Sequence, residues 1–402
     1  MKPMKTILVI CDGLGDRPIA GLGGKTPLEA AVTPNFDRMA KEGVCGKMSV
    51  MGPGVVPHSD DAHLTLFGYD LKRFYPGRGP IEAAGIGFKL KDGDVAFRSN
   101  VGTVDEGWVV LDRRAGRIGS TKAFAEKLDG MEIDGVKFFV KPATGYRMVI
   151  VMRSENKKLS DKITDCDPHE DGKVVQKVAA TDNSGEAEFT ASVLNKFLQK
   201  AYLALKDLPI NKERVKKGLP AANFPLMRGA GYHQKIPSFS EKYGAKACCI
   251  AGAGLYKGIG AILGMDVLQV KGATGLPDTN VKAKFLAAKK ALKKYDFVFV
   301  HVKPTDSLGE DGNIQGKKEF IEKIDKALPA IMDAGGRIVI TADHSTPCEC
   351  KAHSADPVPL LIRDKSIEPD KASRFSEKEC EQGRIGLIDG KDFMKTILAE
   401  KI

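Results

Sequence analysis

The stretch Arg337-Ile338-Val339-Ile340-Thr341-Ala342-Asp343-His344 is a short apolar run that ends in a carboxylate and an imidazole. Two similar runs, Thr6–Cys11 and Phe297–Val302, also lead into loops with acidic side chains. Lys-rich stretches with helical spacing separate such runs along the chain. Short continuous apolar strands that alternate with helices are typical of a parallel sheet covered on both faces. The sequence therefore predicts an α/β fold.

The middle of the chain, from about Arg78 to about Gly229, has a different pattern. Its apolar runs are shorter and are separated by turns, as in Gly107–Leu111, Val136–Val140 and Arg147–Met152. An amphipathic helix is predicted at its end, over Ser184–Leu205. We therefore expect an α/β domain, formed by residues 1–74 and 235–402, that is split by a smaller inserted α+β domain, residues 75–234.

A formal net charge of +10 over 402 residues raises three classes of partner: nucleic acid, anionic membranes and acidic small molecules. The lysines are spread along helical stretches such as Val281–Lys294, a pattern typical of a solvated face. The arginines gather in short glycine-containing turns, which suits recognition of phosphate or carboxylate groups. The longest apolar runs are only of strand length. We expect a cytoplasmic protein that binds a small anion, with no nucleic-acid partner and no membrane span.

Acidic and imidazole side chains follow three of the predicted strands. Asp12 follows the first, Asp306 follows the second, and Asp343 and His344 follow the third, with His353 just beyond. A single Asp at a strand end is more often a helix cap, and a single His is more often an ordinary core or surface group. The carboxyl ends of parallel strands, however, face one crevice, so these loops can converge. The joint pattern favours divalent cations, which take carboxylate and imidazole ligands.

Ser59 lies where the turn Gly52–His58 runs into a helical pattern. The commonest role of a serine at such a position is to cap the helix. A hydroxyl there can also serve as a nucleophile, because the free amides and the dipole of a helix N-terminus favour a phosphoryl group. Both roles are open at this stage.

Further short motifs run through the chain in one order. The most specific are Asp343-His344-Ser345-Thr346-Pro347 and His353–Pro359. The others are Asp12-Gly13 with Gly15–Pro18, Gly24–Ala31, Thr33-Pro34-Asn35, Leu66–Asp70, Gly77–Ala83, Asp112–Ile118, Asp167-Pro168-His169, Arg228–Gly231, Lys257-Gly258 and Gly272–Gly275. In this combination the chain resembles the archaeal-type cofactor-independent phosphoglycerate mutases of the alkaline-phosphatase superfamily. The resemblance implies an alkaline-phosphatase-like parallel-sheet sandwich with an inserted domain.

The resemblance also implies two divalent metal ions, Mn²⁺, Mg²⁺, Co²⁺ or Zn²⁺, and a nucleophilic Ser59 that becomes phosphorylated. The implied ligands of one metal are Asp12, Ser59, Asp343 and His344. Those of the other metal are Asp306, Glu310 and His353. Position 310 is ordinarily His in the family, so Glu310 is a departure. A carboxylate can still bind Mn²⁺ or Mg²⁺. His58, where a small residue is expected, is a second departure.

The same resemblance implies that the basic residues hold a small phosphorylated carboxylic acid. Beside Ser59, the implied catalytic residues are Arg114, Arg228 and Lys257. The implied substrate-binding residues are Arg78, Arg98, Arg113, Arg117, Asp167 and His169. For any one arginine, the alternative is that it only forms a surface ion pair. For Asp167 and His169, the alternative is a structural role in a turn.

The implied reaction interconverts 3-phosphoglycerate and 2-phosphoglycerate through a phosphorylated Ser59, with an inserted domain that closes over the site and excludes water. Two alternatives stay open. One is a related phosphotransferase or phosphatase that acts on another small substrate, as in a homoserine kinase-like relative. The other is a metal-binding protein without activity, disabled at Glu310. The oligomeric state does not follow from the sequence.

Overall fold

The computed structural model describes residues 4–400 of the chain. The chain divides into two compact units. Unit 1 contains the residues up to Tyr75 and those from Ile236 onward, and unit 2 is Pro76–Lys235. The resemblance described above implies metal binding for unit 1 and substrate binding for unit 2, and these roles remain predictions.

The described residues form fourteen strands, sixteen α-helices and two short 3-10 helices. The strands are β1 Thr6–Cys11, β2 Val44–Ser49, β3 Val95–Val104, β4 Val110–Asp112, β5 Glu132–Ile133, β6 Val136–Pro142, β7 Arg147–Arg153, β8 Phe224–Tyr232, β9 Ala247–Ile250, β10 Asp266–Val267, β11 Phe297–Val302, β12 Arg337–Thr341, β13 Val358–Arg363 and β14 Gly386–Asp389. The helices are α1 Pro27–Ala30, α2 Pro34–Lys41, α3 Ser59–Leu66, α4 Leu71–Phe74, α5 Arg78–Gly85, α6 Lys122–Leu128, α7 Gly185–Lys206, α8 Pro209–Lys216, α9 Phe239–Tyr243, α10 Gly254–Ile262, α11 Val281–Ala291, α12 Pro304–Glu310, α13 Ile314–Ala327, α14 Pro329–Met332, α15 Glu377–Glu381 and α16 Phe393–Leu398, and the 3-10 helices are Ala20–Leu22 and Gly390–Asp392. Within residues 4–400, no helix combines the length and the apolar character that crossing a bilayer requires.

Unit 1 is built on an eight-stranded sheet of order β10-β9-β11-β1-β12-β13-β2-β14. Its strands run parallel except for β13, which is antiparallel to both of its neighbours. Because β13 follows β12 without a crossover helix, the chain returns beside β12 in the opposite direction. The three adjacent strands β11, β1 and β12 are wholly buried, as expected for a sheet covered on both faces. The predicted α/β fold with a parallel core is confirmed.

Side-chain caps begin several of the helices. The Thr26 hydroxyl accepts a hydrogen bond from the amide of Glu29, and the Glu29 carboxylate accepts one from the amide of Thr26, so this pair closes a capping box. Ser184 likewise accepts from the amide of Ala187 at 3.2 Å and starts α7. The amphipathic helix predicted over Ser184–Leu205 is confirmed.

One lysine contradicts the expectation of a solvated face over residues 281–294. Lys284 of α11 is fully buried, and its Nζ donates to the carbonyls of His301 at 3.0 Å and Thr274 at 3.3 Å. Burial lowers its pKa from 10.5 to about 8. In a Lys-rich helix, the sequence alone does not show which lysine turns inward, because all of them fit the helical spacing.

Unit 2 contains a six-stranded antiparallel sheet of order β4-β3-β7-β6-β5, in which β8 also pairs with β3. Its main core includes Phe97, Phe138 and Ile150 of the sheet with Leu194 and Phe197 of α7. Helices that pack on an antiparallel sheet give the predicted α+β architecture.

The strand predicted over Gly107–Leu111 begins later than expected, at Val110. The Asp105 carboxylate accepts hydrogen bonds from the amides of Gly107 at 2.9 Å and Val109 at 2.8 Å. An Asp that bonds to the backbone a few residues on closes a turn, and Trp108 within it has a φ of 61°. The turn takes the first residues out of the strand.

Glu377, the first residue of α15, gives unit 1 a testable pH dependence. Its buried carboxylate accepts hydrogen bonds from the Thr26 hydroxyl at 2.7 Å and the Asp16 amide at 3.3 Å. Burial raises its pKa from 4.5 to about 7. Because the folded-state pKa lies above the unfolded one, the folded chain holds this proton more tightly, and stability falls as the pH rises from about 4.5 to about 7.

We therefore expect the free energy of unfolding at pH 8 to be higher for Glu377→Gln than for the parent, by up to about 3 kcal/mol. The advantage should shrink towards pH 5, where the parent is increasingly protonated at this site. Denaturant titrations of both proteins at pH 5 and pH 8 measure the difference. A difference that is the same at the two pH values contradicts the assignment.

Candidate metal centre

The loops after β11, β1 and β12 converge, as the sequence predicts. These strands are adjacent and parallel, so their carboxyl ends lie at one edge of the sheet. Asp12 follows β1, Asp306 lies in α12 after β11, and Asp343 follows β12. All three carboxylates are buried. The Thr346 hydroxyl donates to Asp306 Oδ1 at 2.8 Å and joins the loop after β12 to α12.

Asp12, Asp343 and His344 form a first ligand cluster, with donor atoms that all lie within 4.8 Å of one another. His344 Nε2 lies 3.3 Å from Asp12 Oδ1 and 3.4 Å from Asp343 Oδ2. Both of these carboxylate oxygens are buried without a hydrogen-bond donor. Burying an oxygen without a partner is costly, and a divalent cation takes ligands of this kind. The residues therefore fit a metal ion.

Ser59 lies beside the first cluster at the start of α3. Its Oγ is 3.5 Å from His344 Nε2, and the side chain is almost fully buried. It occupies the first helical position, while His58 is the N-cap residue and its amide donates to the Asp61 carboxylate at 2.8 Å. The Ser59 hydroxyl is thus not used as a helix cap. It is directed at the candidate metal ligands.

Asp306, His344 and His353 form a second ligand cluster of the same compactness. His353 Nε2 lies 3.3 Å from Asp306 Oδ1, and its ring stacks on that of His344 with centroids 3.6 Å apart. His344 therefore belongs to both clusters. Glu310 lies at the edge, with Oε1 3.9 Å from His353 Nε2 and its side chain 52% exposed. Its part in a metal site remains a prediction.

Lys303 is a residue of the site that the sequence reasoning missed. Its Nζ lies 3.2 Å from Asp12 Oδ2 and 2.5 Å from Asp306 Oδ2, so one ammonium joins a carboxylate of each cluster. A lysine is not a common metal ligand, which is why the search for ligands passed over it. Its spacing, three residues before Asp306 at the start of a helix, was the available signal for this ion pair.

Three more buried side chains orient the first cluster from behind. The Tyr256 hydroxyl donates to Asp12 Oδ2, and His301 Nε2 lies 3.2 Å from the same oxygen. His63 Nδ1 is 2.6 Å from the carbonyl oxygen of Ser59 and 3.5 Å from Asp343 Oδ2. Partners of this kind fix the direction in which ligands point. The sequence marks His63 and His301 only as polar residues within apolar patterns, and it gives no sign of Tyr256.

Burial and charge together set the pKa values of the centre. Burial, and then the neighbouring Asp12, raise the pKa of Asp343 to about 6. Burial lowers the pKa of His344, but Asp343 and Asp12 outweigh it and raise the pKa to about 9. Burial also opposes ionisation of Asp12, yet Lys303 and His301 hold the pKa of Asp12 well below its ordinary value. The centre thus draws positive charge towards it.

Asp167 in unit 2 links a predicted substrate-binding arginine, Arg113, to a predicted catalytic one, Arg228. Arg113 donates to its two oxygens at 2.9 and 2.8 Å, and Arg228 donates to one of them at 3.3 Å. Burial opposes its ionisation, but Arg113 holds the pKa of Asp167 below its ordinary value. His169 does not reach Asp167 with its ring and pairs with Asp165 at 3.1 Å. In this arrangement Asp167 positions the arginines and stays charged.

A tight turn presents the other arginines of this region. Asp112 accepts hydrogen bonds from the amides of Arg114 and Gly116, each at 2.7 Å, and Ala115 and Arg117 have positive φ values of 44° and 55°. Such conformations are uncommon outside glycine. One surface cavity of unit 2 is lined by Leu111, Asp112, Arg113, Arg114, Arg117, His169, Glu170 and Asp171.

The remaining predicted residues belong to neither ligand cluster. Arg78 Nε is 3.3 Å from Glu82 Oε1, and Arg98 Nε is 4.0 Å from the same oxygen. Lys257 lies in α10 of unit 1, and within residues 4–400 the structure records no hydrogen bond or ion pair of its side chain. The predicted catalytic role of Lys257 thus has no contact in support of it.

Comparison with known proteins agrees with this geometry. Residues 4–400 match the family model described as Metalloenzyme superfamily. The 2,3-bisphosphoglycerate-independent phosphoglycerate mutase 1 of Methanocaldococcus jannaschii is 49% identical over 404 residues, which cover 99% of this chain and 97% of the relative. The enzyme of that name from Archaeoglobus fulgidus is 45% identical, with coverage of 98% and 97%.

Solved structures give the same result. The cofactor-independent phosphoglycerate mutase of Thermoplasma acidophilum is 36% identical, with a TM-score of 0.74 and 98% of each chain covered. A protein from Pyrococcus horikoshii is also 36% identical, with a TM-score of 0.84 and coverage of 99% of this chain and 97% of that one. Full-length identity at this level, together with a buried carboxylate–imidazole centre beside a serine, leads to one conclusion: the chain belongs to the metalloenzyme superfamily and, within it, to the family of 2,3-bisphosphoglycerate-independent phosphoglycerate mutases.

Proposed function

We propose that this chain is an isomerase that interconverts 3-phosphoglycerate and 2-phosphoglycerate, with a phosphorylated Ser59 as intermediate and two divalent metal ions as cofactors. The observation that carries the proposal is the position of Ser59 Oγ, 3.5 Å from His344 Nε2 at the junction of two ligand clusters. The full-length relatives named as phosphoglycerate mutases support the choice of reaction. A cytoplasmic location and the absence of a nucleic-acid partner remain predictions.

We infer that Asp12, Ser59, Asp343 and His344 would hold one metal, and that Asp306, Glu310 and His353 would hold the other. The two ligand clusters support this assignment for the aspartates and histidines. Bound there, divalent cations would lower the pKa of the Ser59 hydroxyl and offset the charge of the phosphoryl oxygens. Tyr256 and His301 keep the Asp12 carboxylate turned towards the first site.

Ser59 carries the phosphoryl group between the two positions of the glycerate. Its Oγ, having given up its proton, forms a bond to phosphorus while the bond from phosphorus to the C3 oxygen breaks, and that oxygen takes up a proton. The C2 hydroxyl oxygen then bonds to the phosphorus and loses its proton, and the bond to Ser59 Oγ breaks. The position of Ser59 at the start of α3 favours the anionic phosphoserine.

The glycerate has to stay bound while its other hydroxyl replaces the first. Arginine forks match the two oxygens of a carboxylate, and the turn that holds Arg113, Arg114 and Arg117 presents three of them. Arg228, fixed by Asp167, adds a fourth. Arg78, Arg98 and His169 are the further substrate-binding candidates. We infer that unit 2 retains the glycerate, and that loss of this hold would convert transfer into hydrolysis.

One assay separates this function from its alternatives. Purified protein is supplied with Mn²⁺ and 3-phosphoglycerate, and the formation of 2-phosphoglycerate and of free phosphate is followed. Release of phosphate alone indicates a phosphatase. Phosphorylation of homoserine from a nucleotide indicates a kinase-like relative. No reaction with any of them, and no phosphorylation of Ser59, indicates an inactive metal-binding protein.

Ser59→Ala should lower mutase turnover by a factor of about 10⁴ or more, because the phosphoryl group then has no acceptor. The fold and the bound metal should change little, since Asp12, Asp343 and His344 remain. Turnover, metal content by mass spectrometry and the thermal midpoint measure these effects. Activity within about tenfold of the parent would falsify the covalent role.

Ser184→Ala is the matched control for that variant, because Ser184 also begins a helix and its hydroxyl does cap it. It should cost about 1 kcal/mol of stability and leave turnover unchanged. If both serine variants lose stability and activity together, Ser59 acts on the fold and not on the reaction.

Glu310→His should move the metal preference towards Co²⁺ and Zn²⁺ while activity is retained. Imidazole suits these ions better, whereas a carboxylate suits Mg²⁺ and Mn²⁺. Turnover across a series of the four ions measures the shift. Asp311→His is the control, because Asp311 is adjacent and exposed, whereas the ion pairs of His353 within residues 4–400 are with Asp306 and Glu310. Identical profiles for the parent and Glu310→His would remove Glu310 from the metal site.

Lys303→Met should bind Mn²⁺ more tightly than the parent, by about tenfold or more, because an ammonium no longer competes for Asp12 and Asp306. Lys303→Arg keeps the charge and should resemble the parent. Calorimetric titration of the metal-free proteins with Mn²⁺ gives both affinities. Weaker binding by Lys303→Met would show that the ammonium holds the site together instead.

A further inference from the structure

One face of the unit 2 sheet carries a group of polar side chains outside the cavity already described. Arg98 of β3 lies opposite Arg228 of β8, and Asn100 of β3 lies opposite Arg147 of β7. Directly opposed residues of antiparallel strands project to the same face. These four side chains therefore share a face, and we call them the arginine face.

Apolar packing covers only part of this side of the sheet. Ala96, Val149 and Val151 pack there against Ala83 of α5. The large core of unit 2 lies on the other side, with Phe97 and Ile150 among its members. The arginine face is the part of the sheet where apolar residues give way to guanidinium groups and an amide.

Three polar atoms of the arginine face are buried without a hydrogen-bond partner: Arg98 Nε, Arg147 Nε and Asn100 Oδ1. Asn100 is only 2% exposed. Arg153, on the same strand and face as Arg147, shows the usual arrangement, with bonds to both oxygens of Asp94 at 2.7 and 2.6 Å. Buried polar groups are nearly always paired, so unpaired ones side by side indicate a missing ligand.

Positive charge on this face exceeds the negative charge near it. Arg228 shares Asp167 with Arg113, and the one ion pair of Arg98 in the described part of the chain is with Glu82, at 4.0 Å. Within residues 4–400, Arg147 forms no ion pair, and its guanidinium lies 5.3 Å from the Tyr146 ring. Burial lowers the pKa of Arg98 to about 10, although Glu82 opposes this, and Arg147 and Arg228 lower it further. The missing ligand is an anion.

The unpaired Asn100 oxygen narrows the chemistry of that anion. An amide oxygen accepts hydrogen bonds, so it cannot pair with a carboxylate or a fully ionised phosphate and needs a donor, which a hydroxyl of the same ligand supplies. The two arginine Nε–H groups need acceptors, which a carboxylate supplies in pairs. A carboxylate with a hydroxyl on the adjacent carbon supplies both, and 3-phosphoglycerate contains this arrangement.

We propose that Arg147 and Asn100 are further substrate-binding residues, with Arg147 on the carboxylate of phosphoglycerate and the Asn100 oxygen on its C2 hydroxyl. The assignment rests on the proposed function of this chain. The arginines inferred from the sequence account for binding of an anion. Arg147 and Asn100 would in addition recognise the carboxylate and the adjacent hydroxyl of a 2-hydroxy acid. Phosphate esters that lack either group leave part of the arginine face unpaired and are discriminated against.

Binding to the full-length Ser59→Ala protein tests this without turnover. Calorimetry with Mn²⁺ present compares 3-phosphoglycerate with glycerol 3-phosphate, which lacks the carboxylate, and with 3-phosphopropionate, which lacks the hydroxyl. Arg147→Lys should weaken the binding of 3-phosphoglycerate about tenfold or more and leave that of glycerol 3-phosphate unchanged. Asn100→Leu should weaken 3-phosphoglycerate but not 3-phosphopropionate. Arg153→Lys is the matched control and should alter none of the affinities.

The possible failures are distinguishable. If the Ser59→Ala protein does not bind 3-phosphoglycerate, the proposed function is overturned and this assignment falls with it. If it binds but Arg147→Lys and Asn100→Leu bind equally well, only the further inference is overturned. Equal weakening of all three ligands, or a lowered thermal midpoint in these variants alone, would show that the two residues serve the phosphate or the fold and not the 2-hydroxy acid.

Discussion

The concentration of carboxylates at the ends of β11, β1 and β12 is the constraint on which the centre depends. Three adjacent parallel strands bring Asp12, Asp306 and Asp343 to one edge and bury them. Like charges held close in a poorly solvated place repel strongly, so such a site is stable only with nearby positive charge. Lys303 supplies part of it, and His344 is drawn towards its charged form for the same reason. The affinity for divalent cations follows from the negative charge that Lys303 and His344 do not neutralise.

The sequence predicted the residues whose function depends on strand ends, because a strand end fixes a position in the fold. Asp12, Asp343 and His344 follow buried apolar runs, and parallel topology alone requires them to converge. Ser59 was ambiguous because the same serine suits a helix cap or a nucleophile. Its place in the first turn, with His58 at the N-cap, excludes the role of a helix cap. The two roles differ by whether the helix starts at Ser59 or one residue later. A sequence pattern cannot locate a helix start to within one residue.

The residues that the sequence missed act through contacts distant along the chain. Tyr256 reaches Asp12 across 244 positions, and no local pattern links them. Lys284 was expected on a solvated face, and its inward turn depends on the carbonyls of His301 and Thr274. Unit 2 shows the same limit, because Asn100 and Arg147 become neighbours only through the register of β3 and β7. Spacing predicts elements, whereas the pairing between elements decides which polar groups remain unsatisfied.

The two units pose opposite electrostatic problems. Unit 1 buries carboxylate oxygens that lack donors, such as Asp343 Oδ2, and therefore requires cations. Unit 2 buries guanidinium nitrogens that lack acceptors, such as Arg147 Nε, and therefore requires an anion. A phosphoryl group is held well by metal ions, whereas a carboxylate suits arginine forks. The proposed reaction makes both demands, because a transfer between two hydroxyls of one molecule requires that the phosphoryl group be released from the glycerate while the glycerate itself stays bound.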